Sequence, residues 1–213
     1  MANLLTILRM ILAVVAIEFL FTGHPCYYIA ALFLTLLVIV LDGLDGYVAR
    51  KMNEQSKFGS VFDILGDRVV ENFYWIAFAV LGSVCVWVPL VVVARGIIVD
   101  GLRSIAFSKG YTAFGDSTMM QNKFCKFLTA SRFSRALYGV AKTLVFLMLI
   151  LAYIPNFEYC DFVTVNQFIL YSNIQPYLIL AADILVYITV ALCIIRGLPV
   201  IFESKRFLDD DKN

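Results

Sequence analysis

Residues 42–67 read DGLDGYVARKMNEQSKFGSVFDILGD, and this stretch carries four aspartates at the ends of two apolar segments. Asp42 and Asp45 are three positions apart, which places both on one face of a helix. Asp63 and Asp67 are four positions apart and share a face of the helix that follows. If these two helices are antiparallel neighbours, we expect their four carboxylates to meet at one end of the pair.

The chain around this stretch is too apolar for a soluble domain. Its 213 residues are 62% hydrophobic and 15% charged, with a mean hydropathy of +0.86. A soluble domain has about 45–50% apolar and about 25% charged residues. The composition therefore favours a membrane protein over a soluble enzyme. A net charge of +1, from 17 basic and 16 acidic residues, excludes a nucleic-acid binder that depends on bulk charge.

The hydrophobic segments predict six membrane-spanning helices. A spanning helix needs about 20 mainly apolar residues. Six segments of the chain meet this requirement: residues 3–22, 26–45, 60–82, 85–108, 133–155 and 176–200. Their apolar runs are continuous rather than alternating, which argues against strands. The prediction is an all-α, polytopic membrane protein whose single domain covers residues 1–213.

Basic residues lie in alternate connections between these segments. They gather in residues 50–57, 109–135 and 205–212, whereas residues 23–25 and 156–175 contain no lysine or arginine. This asymmetry predicts that both termini and the aspartate-rich stretch face the cytoplasm. Residues 109–132 interleave aromatic and basic side chains, which predicts a cytoplasmic loop or a helix lying on the membrane surface.

Four ionised carboxylates in a poorly solvated site need compensating positive charge. Each unpaired charge there costs several kcal/mol, and Arg50 supplies one positive charge at most. An all-oxygen ligand set favours Mg²⁺, Mn²⁺ or Ca²⁺ over zinc. Gly46 and Gly59 leave room for a ligand beside the backbone. A single such aspartate is as often a helix-pairing or interfacial residue, but the combination predicts one or two divalent cations that hold a diphosphate.

The same residues resemble the signature of a known family. The pattern Asp42-x-x-Asp45-Gly46-x-x-Ala49-Arg50, eight residues, then Gly59-x-x-x-Asp63-x-x-x-Asp67 is similar to that of the CDP-alcohol phosphotransferases, or phosphatidyltransferases. All eight specified positions are present at the expected spacing. The resemblance implies transfer of a phosphatidyl group from a CDP-linked lipid, such as CDP-diacylglycerol, to an alcohol with release of CMP.

The resemblance also implies roles for individual residues. Two Mg²⁺ or Mn²⁺ ions would be held by four carboxylates: Asp42, Asp45, Asp63 and Asp67. Asp67 would also be the catalytic base on the acceptor hydroxyl. The CDP group would contact Asp42, Gly46, Ala49, Arg50 and Gly59. The expected partners are the lipid donor, a small alcohol, the bilayer and a second copy of the chain, with no nucleic acid and with the active site at the cytoplasmic face.

Three further stretches are similar to the phosphatidylglycerophosphate synthases within this family. They are NLLTILR at residues 3–9, ARGIIVDGLR at residues 94–103 and GVAKT at residues 139–143. This similarity implies glycerol 3-phosphate as the acceptor. Its phosphate requires cations, and the candidates are Arg95, Arg103, Lys142 and Arg196, with Arg135 as a further one. Arg103, Arg135 and Arg196 can instead extend to the membrane interface. Lys142 and Arg95 lie deeper in apolar runs, which favours these two as functional residues.

Some features leave other functions open. Gly96 stands where the synthases usually have glutamate, and Arg68 where they usually have lysine. Inositol phosphate, used by a phosphatidylinositol phosphate synthase, is therefore the alternative acceptor. An ion or proton transporter is the alternative from a different class, because intramembrane aspartate and arginine also mark ion pathways. Such a transporter would carry charges along several spans, whereas here the acids cluster at one edge.

Overall fold

The computed structural model describes residues 2–51, 57–108, 123–155 and 165–209. Within these ranges the chain forms helices and no strand, which confirms the all-α prediction. The helices are α1 (Ala2–Phe21), α2 (Pro25–Lys51), α3 (Lys57–Val80), α4 (Trp87–Ser108), α5 (Lys123–Ala130), α6 (Arg132–Ala152) and α7 (Val165–Asp209).

Four stretches of the described residues are long and apolar enough to cross a membrane. They are Asn3–Phe21, Pro25–Gly43, Phe127–Ala152 and Gln167–Ser204. α3 and α4 contain 24 and 22 residues and also have the length for a bilayer, but they carry more charged side chains. The chain is thus a helical protein with several helices able to span a membrane. Six spans, and termini that face the cytoplasm, stay predictions.

The last helix begins earlier than its hydropathy predicts. The expected span covers residues 176–200, whereas α7 begins at Val165 and continues through Pro176. Tyr171 donates a hydrogen bond to the carbonyl oxygen of Leu151 (3.0 Å), and Gln175 donates one to that of Ala152 (3.2 Å). The last carbonyls of a helix have no donors of their own, so these bonds fix the first turns of α7 against the end of α6.

The chain divides into two compact units that interleave in sequence. The first contains Met1–Val86 and Thr143–Ile184, and the second contains Trp87–Lys142 and Leu185–Asn213. The prediction of a single domain over residues 1–213 stays a prediction.

In the first unit, α1 packs against α2 and α3, and an aromatic cluster fills the space between α3 and α6. The ring of Phe146 stacks on Tyr74 at 5.0 Å between centroids and meets Trp75 edge-on at 5.2 Å. The hydroxyls of Tyr74 and Thr35 share a 2.8 Å hydrogen bond that links α3 to α2. All four side chains are buried. These contacts hold the C-terminal half of α3, whose N-terminal half carries two of the predicted carboxylates.

The second unit has a smaller apolar core. Val99 and Ala106 of α4 pack with Val200 of α7, and Leu102 and Cys125 cover them. α5 contributes Cys125 to this core. The cytoplasmic loop or surface helix expected at residues 109–132 stays a prediction, and residues 109–122 lie outside the described ranges. Burial, with the negative charge of Glu203 added, raises the pKa of the Cys125 thiol. Cys125 is a packing residue at the edge of this core.

Candidate active site

The candidate site begins where α1 and α3 approach each other closely. Gly66 of α3 is buried, and a Cβ atom added there would lie 2.5 Å from Thr6 Cγ2 and 3.3 Å from Arg9 Nη2. The missing side chain is what allows the helices to come this near. Asp63 and Asp67 flank Gly66 on α3, so the close approach brings both carboxylates to the surface of α1.

Three of the four predicted metal-binding carboxylates converge. Asp42 of α2 and Asp63 and Asp67 of α3 each place one oxygen so that all three oxygens lie within 4.8 Å of one another. We call these three residues the carboxylate cluster. Their side chains are 49%, 41% and 44% exposed, which leaves the cluster open to an ion or an anionic ligand on one side.

The other motif residues are only partly described. Gly59 lies in the first turn of α3 and is half-buried. The backbone of α2 continues to Lys51. The side chains of the remaining motif positions on that helix lie outside the described part of the chain, and these are Asp45, Gly46, Ala49 and Arg50. Their predicted roles in metal and CDP binding stay predictions.

A guanidinium lies on the inner side of the carboxylate cluster. Arg9 Nη2 is 2.8 Å from Asp67 Oδ1 and 3.4 Å from Asp63 Oδ1, and Arg9 Nη1 contacts Asp42 Oδ1. The Arg9 side chain is 2% exposed, so its charge is buried and compensated by all three carboxylates. Three negative charges against one positive leave an excess of negative charge. An oxygen-only donor set with this excess fits Mg²⁺ or Mn²⁺.

Sequence reasoning names Arg9 only in the NLLTILR stretch and as a possible partner of Asp183, and does not place it at the metal site, although a signal for a charged partner was present. An arginine in the middle of an apolar segment requires a partner, because an unpaired charge at membrane depth is costly. Thr6 and Arg9 are three positions apart and therefore lie on one face of α1, the face that meets Gly66. The sequence does not show that α3 is the helix next to this face of α1.

Arg68 has a different partner, although it follows Asp67 directly. Its Nη1 atom is 3.4 Å from Glu71 Oε2, one turn further along α3. Glu71 is 2% exposed, and sequence reasoning did not single it out. The pair gives a buried carboxylate a compensating charge within its own helix.

Three of the predicted acceptor-binding cations gather in the second unit. Lys142 Nζ lies 6.0 Å from the centroid of the buried Tyr138 ring, and Arg196 Cζ lies 5.2 Å from it. Gly197 follows Arg196, and a Cβ atom added there would lie 2.9 Å from Cγ and Nε of Arg95. The stem of Arg95 therefore crosses α7 at this glycine. We call Arg95, Lys142 and Arg196 the cation group.

The other two candidate cations are placed less specifically. Arg103 lies on α4 about two turns after Arg95 and is half-buried. Arg135 lies in the first turn of α6 and is exposed. Sequence reasoning missed Tyr138, whose position four residues before Lys142 puts both on one face of α6.

Comparison with known proteins identifies the family. The sequence model of the CDP-alcohol phosphatidyltransferase family matches residues 1–195. The match covers most of the chain, so this protein belongs to the CDP-alcohol phosphatidyltransferases. The resemblance inferred from residues 42–67 is thereby confirmed.

Three individual relatives have the same name, which states a phosphatidyltransferase activity. The chain is 34% identical over 127 residues to the CDP-diacylglycerol–glycerol-3-phosphate 3-phosphatidyltransferase of Mycoplasma pneumoniae, covering 50% of this chain and 55% of the relative. Its identity to the protein of that name in Cereibacter sphaeroides is 32% over 111 residues, 50% of each chain. The one from Mycoplasma genitalium is 38% identical over 77 residues, 36% of this chain and 33% of the relative. The chain therefore spans about half or less of the length of these relatives.

Proposed function

We propose that this protein transfers the phosphatidyl group of CDP-diacylglycerol to glycerol 3-phosphate and releases CMP. The observation that carries the proposal is the convergence of Asp42, Asp63 and Asp67 in a chain of this family. The names of the relatives from Mycoplasma pneumoniae and Cereibacter sphaeroides support the choice of donor and acceptor.

The carboxylate cluster would hold Mg²⁺ or Mn²⁺, and two ions would bind if Asp45 joins it. Divalent cations bound there would neutralise the diphosphate of the donor and stabilise CMP as the leaving group. The open side of the cluster supports this role, because a diphosphate can reach the carboxylates from that side. The proposed CDP contacts are Asp42, Gly46, Ala49, Arg50 and Gly59.

Asp67 is the proposed base. Its carboxylate converges with those of Asp42 and Asp63, next to the proposed metal site. The acceptor oxygen forms its bond to phosphorus, the bond from phosphorus to the CMP oxygen breaks, and the hydroxyl proton passes to Asp67. A positioned carboxylate promotes such an attack, because it removes the proton as the new bond forms. The transfer is direct and requires no covalent intermediate with the protein.

The cation group is the proposed binding site for the acceptor phosphate, with Arg103 as an additional contact. Guanidinium and ammonium groups form charge-assisted hydrogen bonds with phosphate oxygens, and arginine can do so with two parallel bonds. The Tyr138 ring supports two of the three cations by cation–π contact. A site of this charge favours a phosphorylated alcohol over serine. Inositol phosphate satisfies the same phosphate contacts and is the alternative acceptor.

We further propose that the active site faces the cytoplasm and that the protein forms a homodimer. The lysine and arginine residues of residues 50–57, next to the carboxylate cluster in sequence, support this orientation. Family resemblance supports the dimer. An enzyme also accounts for the clustering of Asp42, Asp63 and Asp67, whereas a transporter would distribute its acids along the membrane depth.

A CMP-release assay tests the proposal. Purified protein is supplied with CDP-diacylglycerol in mixed micelles and with glycerol 3-phosphate, inositol phosphate, serine or glycerol. Each reaction is run with Mg²⁺, with Mn²⁺ and with a chelator. We expect metal-dependent CMP release with glycerol 3-phosphate as the preferred acceptor. Preference for inositol phosphate would replace the acceptor, and no release with any acceptor would overturn the proposed function.

A further inference from the structure

We propose that Arg9 is an internal counterion that occupies the carboxylate cluster when metal is absent and that a divalent cation displaces it. This inference rests on the proposed metal centre. It extends that proposal by giving a residue of α1 a role in metal loading, so that the affinity of the site for metal depends on a side chain outside the aspartate motif.

The geometry places Arg9 where the carboxylates converge. One guanidinium contacts Oδ1 of Asp42, Oδ1 of Asp63 and Oδ1 of Asp67. These carboxylates are also the ones whose oxygens lie within 4.8 Å of one another. An ion bound by all three would lie at that same convergence point. Arg9 and the ion therefore compete for the negative charge of the same three carboxylates.

An ion bound by the cluster would lie close to the buried charge of Arg9. The Arg9 side chain is 2% exposed, so water screens this charge little. A buried guanidinium repels a second positive charge beside it. Each of the two cations is then held less strongly by the carboxylates than it would be alone. Metal binding is thus coupled to the release of Arg9 from the cluster.

An orienting role for Arg9 predicts the opposite sign. If Arg9 served to hold the carboxylates in place for the metal, its removal would loosen the ligands and weaken metal binding. If Arg9 competes with the metal, its removal leaves three mutually repelling carboxylates, which bind a divalent cation more tightly. The direction of the change in metal affinity therefore distinguishes the two roles.

The experiment measures Mn²⁺ binding to the full chain without substrate, by the electron paramagnetic resonance signal of free Mn²⁺. Wild type is compared with Arg9→Met, Arg9→Lys and Arg68→Gln. We expect Arg9→Met to bind Mn²⁺ at least about tenfold more tightly, equivalent to about 1.4 kcal/mol. Arg68→Gln removes the same charge from a residue paired with Glu71, and we expect its affinity to stay close to that of wild type.

Thermal unfolding provides a second measurement. Metal-free Arg9→Met should unfold at a lower temperature than wild type, and Mn²⁺ should raise its unfolding temperature by more, because stabilisation by a ligand increases with the logarithm of its affinity. If Arg9→Met does not fold without metal, Arg9→Lys replaces it. Its ammonium cannot contact three carboxylates as the guanidinium does, so its Mn²⁺ affinity should also exceed that of wild type.

Three results are possible, and each is decisive. Tighter Mn²⁺ binding by the Arg9 variants, but not by Arg68→Gln, supports the inference. Equal or weaker binding by these variants, with wild type still releasing CMP in a metal-dependent reaction, overturns the inference and leaves the proposed function intact. Absence of both Mn²⁺ binding and CMP release in wild type overturns both.

Discussion

Gly66 of α3 lies directly against Thr6 of α1, so that a Cβ atom at residue 66 would be 2.5 Å from Thr6 Cγ2. Real Cβ atoms essentially never make contacts this short. The two helices therefore keep their separation only with glycine at this position. Arg9 is one turn beyond Thr6, and Asp63 and Asp67 flank Gly66. This single contact thus sets how far the guanidinium lies from two of the three carboxylates.

Gly66→Ala should lower both the unfolding temperature and the rate of CMP release. Overpacking of this kind costs about 1–3 kcal/mol, and the shift would displace α3 together with the carboxylates of Asp63 and Asp67. Thr6→Ser removes the Cγ2 atom and keeps the hydroxyl, so the double variant Thr6→Ser/Gly66→Ala should recover much of both losses. Thermal unfolding and the CMP assay measure the two effects.

Gly101→Ala is the matched control for this prediction. Nothing lies within 4 Å of a Cβ atom added at Gly101 of α4. Alanine is a better helix former than glycine, by up to about 1 kcal/mol, so this variant should be as stable as wild type or slightly more stable. A double variant no better than Gly66→Ala would show that Thr6 is not the residue that excludes the side chain.

Asp67→Asn should reduce CMP release by about 10²–10⁴-fold, because the amide keeps the shape of the carboxylate but cannot accept the proton. The helical content of the variant, measured by circular dichroism, should be that of wild type. Glu18→Gln is the control, since Glu18 is an exposed carboxylate near the C-terminal end of α1, about two and a half turns beyond Arg9. Turnover of Asp67→Asn close to that of wild type would remove Asp67 from the role of base.

Lys142→Ala should raise KM for glycerol 3-phosphate by about tenfold or more and change KM for CDP-diacylglycerol little. The reason is the loss of one charge-assisted hydrogen bond to the acceptor phosphate, worth about 1.5–3 kcal/mol. Steady-state kinetics with each substrate varied in turn measure the two constants. An equal effect on both substrates would argue that Lys142 does not bind the acceptor.

Tyr138→Leu should weaken acceptor binding, whereas Tyr138→Phe should not. Lys142 and Arg196 each make a cation–π contact with the Tyr138 ring. Both contacts depend on the aromatic ring rather than on its hydroxyl. A cation–π contact contributes about 0.5–2 kcal/mol, which corresponds to about 2- to 30-fold in KM for glycerol 3-phosphate. If phenylalanine and leucine raise KM alike, the hydroxyl is the group that matters.

Thr35→Val should destabilise the first unit by about 1–3 kcal/mol, because the buried Tyr74 hydroxyl loses its 2.8 Å partner. Replacing both partners removes the unsatisfied group, so Thr35→Val/Tyr74→Phe should be more stable than Thr35→Val alone. Denaturant unfolding of the wild type, both single variants and the double variant gives the coupling energy. Losses that simply add would show that the two hydroxyls do not act as a pair.

The sequence by itself determined the helices, the membrane class and the faces on which the aspartates lie. Helical periodicity and hydropathy are local properties, so Asp63 and Asp67 share a face whatever surrounds them. The eight specified positions between Asp42 and Asp67 also indicated the family without any knowledge of tertiary contacts. The first turns of α7, before the span expected at residues 176–200, were not predicted from the sequence, because they depend on contacts of Tyr171 and Gln175 with α6, which are not local.

Only the tertiary structure decided which groups meet. Arg9 and Asp63 are 54 positions apart, and nothing in the spacing of either helix says that α1 lies against α3. Their meeting depends on the shape of both helix surfaces, above all on the missing side chain at Gly66. Tyr138 and Arg196 likewise come from different helices. Local sequence places a charge on a helix face, but the partner that compensates it is chosen by packing between helices distant in sequence.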